Sequence, residues 1–462
     1  MTFQRILIAN RGEVAARIQR TCERLGVETA VVFSEADAGL EYVERAQHRY
    51  SLGGGGVRDT YLAVDKLLAA IEQTGADAVH PGYGLLSESP AFAEAVSKTT
   101  AAFIGPSPAL LSKFGDKVSA RKAAAEVGVS SPPGTEEPVT LGSAATEAAG
   151  VIGFPLLVKA AAGGGGIGMT VVESADQLDD ALTKSAGRGK AAFGDDRVYL
   201  EKYLSAPRHI EVQVVADAFG KVAILGEREC SVQRRYQKVI EEGPCPASKM
   251  TESARAGLYD AARRVIEGSG YVGLATIEFV ADGSGAELEF FFLEVNARLQ
   301  VEHPVTEMLT GLDLVELQLI VAAGQPLPME VADAASMGHA FEVRLYAEDP
   351  SRRFLPQPGV LETLQWPSAQ PWLRVETGFR QGEKITPLYD PLIAKVVVHG
   401  KDRPQALERL ARSLAETRLL LMGPKGQRAS NLQFLRDLIK VPELRSGDYD
   451  TGLVSRLLGK QS

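Results

Sequence analysis

A parallel α/β amino-terminal unit followed by a larger α+β unit is the fold class predicted here, on three observations. Between residues 5 and 112, short apolar strands alternate with amphipathic helices, the pattern of a parallel sheet covered by helices. From residue 205 onward the strands lengthen and follow one another closely, as in HIEVQVVAD, KVAILGER, LATIEFVA and ELEFFFLEVN, which suits an antiparallel sheet. Between the two, FPLLVKAAAGGGGIGMTVV (154–172) reads as strand, glycine loop and strand, the centre of a small lobe at about 138–203.

RILIA (5–9) is the first strand. NRGEVAARIQRTCERLG (10–26) is a loop and a helix, with Ala15, Ile18, Cys22 and Leu25 at helical spacing and Gly26 where a C-cap is expected. ETAVVFS (28–34) is the second strand, TYLAVDKLLAAIEQTG (60–75) a helix, ADAVHPGYG (76–84) a strand and loop, and AAFIGPS (101–107) a strand and turn. Loops at strand C-termini carry function in open α/β sheets, so the PGYG turn at 81–84 is a candidate. KFGDKVSARKAAAEVG (113–128) reads as one helix and SSPPGTEEP (130–138) as a connector. Beyond about 340, FEVRLYAED and LIAKVVVHG are strands and RPQALERLARSLAET (403–417) is a helix.

The 462 residues allow two to four domains or lobes, and 45% hydrophobic with 24% charged residues is ordinary for a globular protein. A formal net charge of -9 argues against a nucleic-acid partner held by bulk electrostatics, though a local Lys/Arg cluster still suits an anionic substrate. Cys22, Cys230 and Cys245 are scattered and form no CxxC pair, so neither a disulfide framework nor a zinc site is expected. No apolar run approaches the roughly 20 residues of a membrane span, and MTFQRILIANRGE lacks a secretory signal's apolar core. A cytoplasmic enzyme is expected.

Four groups of residues point to chemistry. Lys159 is followed by Gly163, Gly164, Gly165, Gly166 and Gly168; glycines in a hairpin cost roughly 0.5–1 kcal/mol each, and their use is a concave nest of backbone N–H groups for an anion. Glu278 on one strand and Glu294 with Asn296 on another offer oxygen ligands that suit Mg²⁺ held with nucleotide phosphates, while Leu293 and Val295 are expected on the opposite face. Arg298 presents a fork for a planar oxyanion, with Gln300 and Glu302 beside it and Glu302 placed as a general base. Gln233, Arg234, Arg235 and Lys238 form a basic run inside an acidic protein, an anion site.

Together GDK (115–117), KAAAGGGGIGM (159–169), EKYL (201–204), RHIEVQV (208–214), ECSVQRRYQKVIEE (229–242) and FLEVNARLQVEHPVTEM (292–308) resemble biotin carboxylase, within the ATP-grasp superfamily. IANRGE (8–13), HPGYG (80–84), EVRLYAEDP (342–350) and YDPLIAKVVVHG (389–400) extend the resemblance over essentially the whole chain. The resemblance implies an amino-terminal pre-ATP-grasp domain at 1–113, an ATP-grasp domain at 114–330 whose small lobe closes as a lid, a carboxy-terminal biotin carboxylase domain at 331–446 and a tail at 447–462. It implies ATP, Mg²⁺ or Mn²⁺, bicarbonate and biotin as cofactors and substrates. Lys117 and Lys159 would contact phosphates under Gly163–Gly166. Glu201, Lys202 and Leu204 would hold the adenine end, with His209, Gln233 and Tyr236 near the nucleotide. Glu278 and Glu294 would bind the metal with Asn296 close by. Lys238, Arg298, Gln300 and Val301 would hold bicarbonate and Glu302 would deprotonate it. Arg344 would stabilise the biotin enolate, with Tyr83 near the biotin pocket.

Two positions depart from the family pattern. Ile167 stands where many members carry Arg or Lys, and Tyr236 where His or Asn is frequent; both bear on ATP affinity. Ile167, ARLQVEHP and RLYAE lean toward the urea-carboxylase branch, and the final carboxyl acceptor, acyl-CoA or another, stays open. No Met-Lys-Met biotinylation sequence is present, so a separate biotin carboxyl carrier protein and a separate carboxyltransferase are expected as partners, with a homodimer or larger complex. The alternatives are another ATP-grasp carboxylate ligase and a silent nucleotide-binding subunit; bicarbonate- and biotin-dependent ATP cleavage separates them.

Overall fold

The computed structural model describes residues 3–135, 137–139, 142–160, 169–204, 206–332 and 336–459. The amino-terminal sheet has five strands in the spatial order His48–Gly53, Glu28–Ser34, Arg5–Ile8, Ala78–His80, Ala102–Phe103. All four pairings are parallel, as the alternating pattern predicts. Helix Gly12–Leu25 ends at Gly26, whose φ of +70° is the left-handed cap expected there.

Two helices differ from expectation. The one expected over 60–75 begins at Val64, because a 3₁₀ turn at Val57–Asp59 precedes it and Thr60 turns its hydroxyl back to the Gly56 carbonyl. The one expected over 113–128 is two helices, Pro108–Gly115 and Lys117–Glu126. Asp116 breaks them: its backbone is extended and its carboxylate caps the second helix at Ser119 N–H. The break places Lys117 in the first turn of a new helix rather than on the flank of a long one. The sequence reading also missed the edge strand His48–Gly53, whose outward residues are polar on both ends.

The small lobe is a three-stranded antiparallel sheet, ordered Met169–Val172, Leu156–Ala160, Val198–Lys202. Helices Ser143–Ile152 and Leu178–Phe193 accompany it. Ala145, Leu156, Val158, Leu178, Leu182 and Leu200 form a core of the lobe's own. The glycine loop lies outside the described residues, so Gly163, Gly164, Gly165, Gly166 and Ile167 have no structural account here.

The large sheet has eight antiparallel strands: Glu289–Asn296, Gly273–Asp282, Arg208–Ala216, Val222–Arg234, Gln237–Gly243, His339–Tyr346, Leu392–Gly400 and Leu373–Thr377. It runs straight through the division expected at 330, since Gln237–Gly243 pairs with His339–Tyr346. Residues after 446 fold back onto it: the Tyr449 hydroxyl donates to Glu242 at 2.5 Å, and Thr451 N–H donates to the Pro207 carbonyl at 3.0 Å. A four-stranded antiparallel sheet and helix Arg403–Glu416, capped by Asp402, complete the carboxy-terminal part. Cys22, Cys230 and Cys245 are free and buried. Among the described residues no helix is long and apolar enough to cross a membrane.

Candidate active site

One cavity of about 2020 Å³ lies between the lobe, the large sheet and the amino-terminal domain. Every residue given a role by the resemblance, the glycine loop apart, lines it, while Arg234 of the basic run does not. The register of the large sheet explains the convergence. Glu278 is the cross-strand partner of Glu211 on one side and of Glu294 on the other, so three carboxylates stand in a row across adjacent strands. Like charges in such positions repel; something cationic has to face them.

Lys238 does so for two of the three. The hairpin Val222–Arg234/Gln237–Gly243 sets Lys238 opposite Gln233. The Lys238 ammonium lies 2.5 Å from Glu211, 2.9 Å from Glu278 and 2.5 Å from Glu302. Arg228, fully buried, completes Glu211 at 2.6 Å. Burial opposes ionisation of Glu302, but Lys238, Arg344 and Arg228 outweigh it and hold the carboxyl well below the usual carboxylate range. Burial likewise disfavours charged His209; Glu278, 2.9 Å from its Nε2, outweighs that and raises it.

Glu294 is less well served. Its nearest cation, Lys117, is 3.9 Å away. Desolvation in the cavity wall and the neighbouring Glu278 charge raise its carboxyl above the ordinary value. A raised, under-compensated acid beside an ionised one is a donor set that a hard divalent cation relieves, so these residues fit Mg²⁺. Asn296 stands beside Glu278: its amide donates to Glu278 at 2.9 Å and its carbonyl accepts from Arg298 at 2.7 Å. As placed, it ties Arg298 to Glu278. Among the described residues two compact ligand-like sets occur, His209 with Glu211 and Glu278, and Glu211 with Cys230 and Glu302.

Leu293 departs from strict alternation. The pairing shifts between Glu278↔Glu294 and Phe279↔Phe292, leaving Leu293 as an extra residue. This bulge turns it into the cavity wall, while Val295 stays in the core as expected.

Arg344 forms the opposite wall. Its guanidinium contacts Glu241 at 2.5 Å and Glu302 at 3.0 Å. Arg298 stands 2.9 Å from Glu88, and Gln300 donates to Glu278 at 3.1 Å. The Tyr83 hydroxyl donates to Glu13. At the lobe end Glu201 pairs with Lys159 and, at 3.1 Å, with Arg121. Burial lowers Lys159 from its ordinary value and Glu201 only partly offsets this. Lys202 donates to the carbonyls of Gly153 and Phe154 at 3.4 Å. Tyr236 sits half exposed at the tip of the hairpin, with Arg235 and Tyr236 at φ of +48° and +70°. Arg234 turns away from the cation cluster and stacks on Phe354 at 4.3 Å.

The sequence reading missed Glu211, Arg228, Glu241, Glu88 and Arg121. For Glu211 a signal existed: His209, Glu211 and Gln213 alternate with Ile210, Val212 and Val214, which marks one polar strand face. Glu342 was also unremarked. It is fully buried, neither carboxylate oxygen has a hydrogen-bond partner among the described residues, and burial raises it well above the usual range. The folded state therefore binds this proton more tightly than the unfolded chain, and the wild type loses stability as pH rises above the unfolded value of about 4.3. Glu342→Gln, which mimics the protonated acid, is expected to melt higher than wild type near pH ~8. The gap should close near pH ~4, read from thermal midpoints at the two values.

Three family descriptions match successive parts of the chain. They are the biotin carboxylase N-terminal domain over residues 2–111, the carbamoyl-phosphate synthase L chain ATP binding domain over 116–330, and the biotin carboxylase C-terminal domain over 342–456. Biotin carboxylase 2 of Bacillus subtilis is 43% identical over 456 residues, covering 99% of this chain and 100% of the relative. The mitochondrial methylcrotonoyl-CoA carboxylase subunit alpha of Dictyostelium discoideum is 43% identical over 450 residues, but the match spans only 63% of that longer protein. A crystal structure described as a biotin carboxylase–β-γ-ATP complex from Campylobacter jejuni superposes with a TM-score of 0.92 at 38% identity, covering 98% of this chain and 99% of that one. The biotin carboxylase domain dimer of Hydrogenobacter thermophilus 2-oxoglutarate carboxylase, solved with MgADP, ADP and bicarbonate, gives 0.92 at 34% identity over 99% and 98%.

Proposed function

The chain belongs to the biotin carboxylase family, and we propose the following use of its cavity in the family's reaction, ATP- and bicarbonate-dependent carboxylation of biotin on a carrier protein. The single observation that carries the assignment of roles is the Lys238–Glu302–Arg344 cluster: a base whose two oxygens meet a substrate-binding cation at 2.5 Å and an anion-stabilising guanidinium at 3.0 Å.

ATP enters with its phosphates toward Lys117, Lys159 and His209, and its base toward Glu201, Lys202, Leu204, Gln233 and Tyr236. Mg²⁺ or Mn²⁺ held by Glu278 and Glu294 would supply charge neutralisation of the phosphates. Bicarbonate takes the place between Lys238, Arg298, Gln300 and Val301. Arrival of this anion draws Lys238 away from Glu302, and the carboxylate regains basicity that the ion pair had suppressed. Glu302 takes the bicarbonate proton while the substrate oxygen bonds to the γ-phosphorus and the bond to ADP breaks. Lys238 and Arg298 hold the charge of the carboxyphosphate so formed. Its breakdown in the closed site yields CO₂ and phosphate. The phosphate takes the ureido proton of biotin and the ureido nitrogen bonds to CO₂. Arg344 faces the charge that builds on the ureido oxygen, and Tyr83 borders the same pocket. The carrier's partner in the overall reaction is a carboxyltransferase.

The test is ADP release with Mg-ATP, with and without bicarbonate and free biotin. Release that needs bicarbonate and rises with biotin is expected; release indifferent to both overturns the assignment. Glu294→Gln keeps shape but removes charge from the under-compensated acid. Its rate should reach half-maximum only at about tenfold higher Mg²⁺ or more, measured at fixed ATP.

A further inference from the structure

We infer that the helix Gly12–Leu25 of the amino-terminal domain positions the substrate loop Gln300–Glu302, through two buried relays that end on consecutive carbonyls of that loop. This rests on the reading of the loop as the bicarbonate site. Glu13 and Arg17 are four residues apart and leave the helix on one face. Each orients a second residue, and each second residue grips the loop.

In the first relay Lys395 Nζ lies 2.9 Å from Glu13 Oε1 and donates to the Val301 carbonyl at 2.8 Å. Lys395 is fully buried in the middle of the strand Leu392–Gly400. An ammonium buried to hold one backbone carbonyl is costly unless paired, and Glu13 supplies the pairing. The other Glu13 oxygen accepts from Tyr83. In the second relay Arg17 Nε donates to His303 Nε2 at 3.2 Å, and His303 Nδ1 lies 2.6 Å from the Gln300 carbonyl. Arginine only donates, so Nε2 is the acceptor and the ring proton sits on Nδ1, where it donates to Gln300. Burial, then Lys395 and Arg17, hold the ring neutral. Arg17 is locked in turn by Glu307 at 2.6 Å and Asp313 at 2.8 Å.

Arg17, His303 and Lys395 do not line the cavity. They act through the loop and are positioning residues, not catalytic ones. Two neighbouring carbonyls pinned from behind fix where Gln300, Val301 and Glu302 stand toward Lys238 and Arg298. Active groups lose function when displaced by more than about 0.5 Å, and a single unsupported loop between a strand and a short helix is not held that tightly by its own backbone.

Two His303 variants test this. His303→Leu removes the side-chain donor to Gln300 and leaves only the longer 3.3 Å backbone N–H of residue 303 on that carbonyl; His303→Asn keeps a side-chain amide N–H. The leucine variant is expected to raise KM for bicarbonate about tenfold, the worth of one lost hydrogen bond, with ADP affinity unchanged. The asparagine variant is expected to recover most of that rise. Arg17→Lys keeps the charge beside Glu307 and Asp313 but loses the contact to His303 Nε2. It should shift bicarbonate KM in the same direction and supplies the readout if the leucine variant is insoluble. An unchanged bicarbonate KM in soluble variants, or a fall in active fraction alone, overturns the inference while leaving the carboxylase assignment intact. A wild-type enzyme without any bicarbonate response overturns both.

Discussion

Glu302→Gln is expected to lower biotin-dependent ADP release by about 10²- to 10⁴-fold, the usual contribution of a positioned general base. The fold should survive the change. Lys238 keeps Glu211 and Glu278, and Arg344 keeps Glu241, so neither cation is stranded. Binding of ADP, for which Lys159 and Glu201 are the proposed contacts, should stay near the wild-type value. The measurement is steady-state turnover beside equilibrium ADP binding. Retention of more than about a tenth of the rate would remove Glu302 as the base. Equal losses in rate and ADP affinity would make it a structural residue.

Lys238→Met is expected to abolish turnover and to destabilise the protein by about 3–5 kcal/mol, because breaking a buried ion pair leaves uncompensated charge. Three carboxylates lose their shared partner, though Arg228, His209 and Arg344 each retain one of them. The sign of the pH dependence follows from the depressed acids. Glu278 and Glu302 are held below their unfolded values in the wild type, Glu278 by Lys238 and His209 against burial. Their stabilisation is present above the unfolded value of about 4.3 and is lost as pH falls toward the folded one. The gap between wild type and variant is therefore widest near neutrality and narrows on acidification. Urea midpoints at about pH 7.5 and about pH 3.5 read it. Adding Glu302→Gln to the variant should return part of the stability and none of the activity. A Lys238→Met protein as stable as wild type at neutral pH would mean that the cluster is compensated by other means.

Much of this site was legible because polar residues sat where a strand's apolar alternation made them conspicuous. Glu278 and Glu294 fall in that class, and Arg298 and Glu302 stood out as a run of polar groups in the turn directly after such a strand. Lys395 does not: it interrupts LIAKVVVHG once, and nothing in sequence tells a buried ammonium from an edge lysine until Glu13, remote in the chain, arrives beside it. His303 stood out beside Glu302, but its pairing with Arg17 was invisible for the same reason, as it spans 286 positions. The split at Asp116 was a matter of turn chemistry, since Gly-Asp before a lysine reads equally as helix interior or as stop and restart. Leu293 was misplaced because alternation assumes unbroken register, and a bulge cancels it. The parallel amino-terminal sheet, the antiparallel large sheet and the small lobe followed from periodicity and spacing alone.

The strand His339–Tyr346, which carries Arg344, is hydrogen-bonded on one side to Gln237–Gly243 and on the other to Leu392–Gly400. Cutting the chain near 330 would therefore strip one flank of the strand that carries Lys238. An open edge of unpaired backbone rich in Val239 and Ile240 invites aggregation. Fragments ending there should precipitate rather than bind nucleotide, and chimaeras between relatives that cross over at this point should inherit mismatched strand partners. The unit that recombination can exchange intact is the whole sheet with both of its flanking segments, although the linear map suggests a convenient seam.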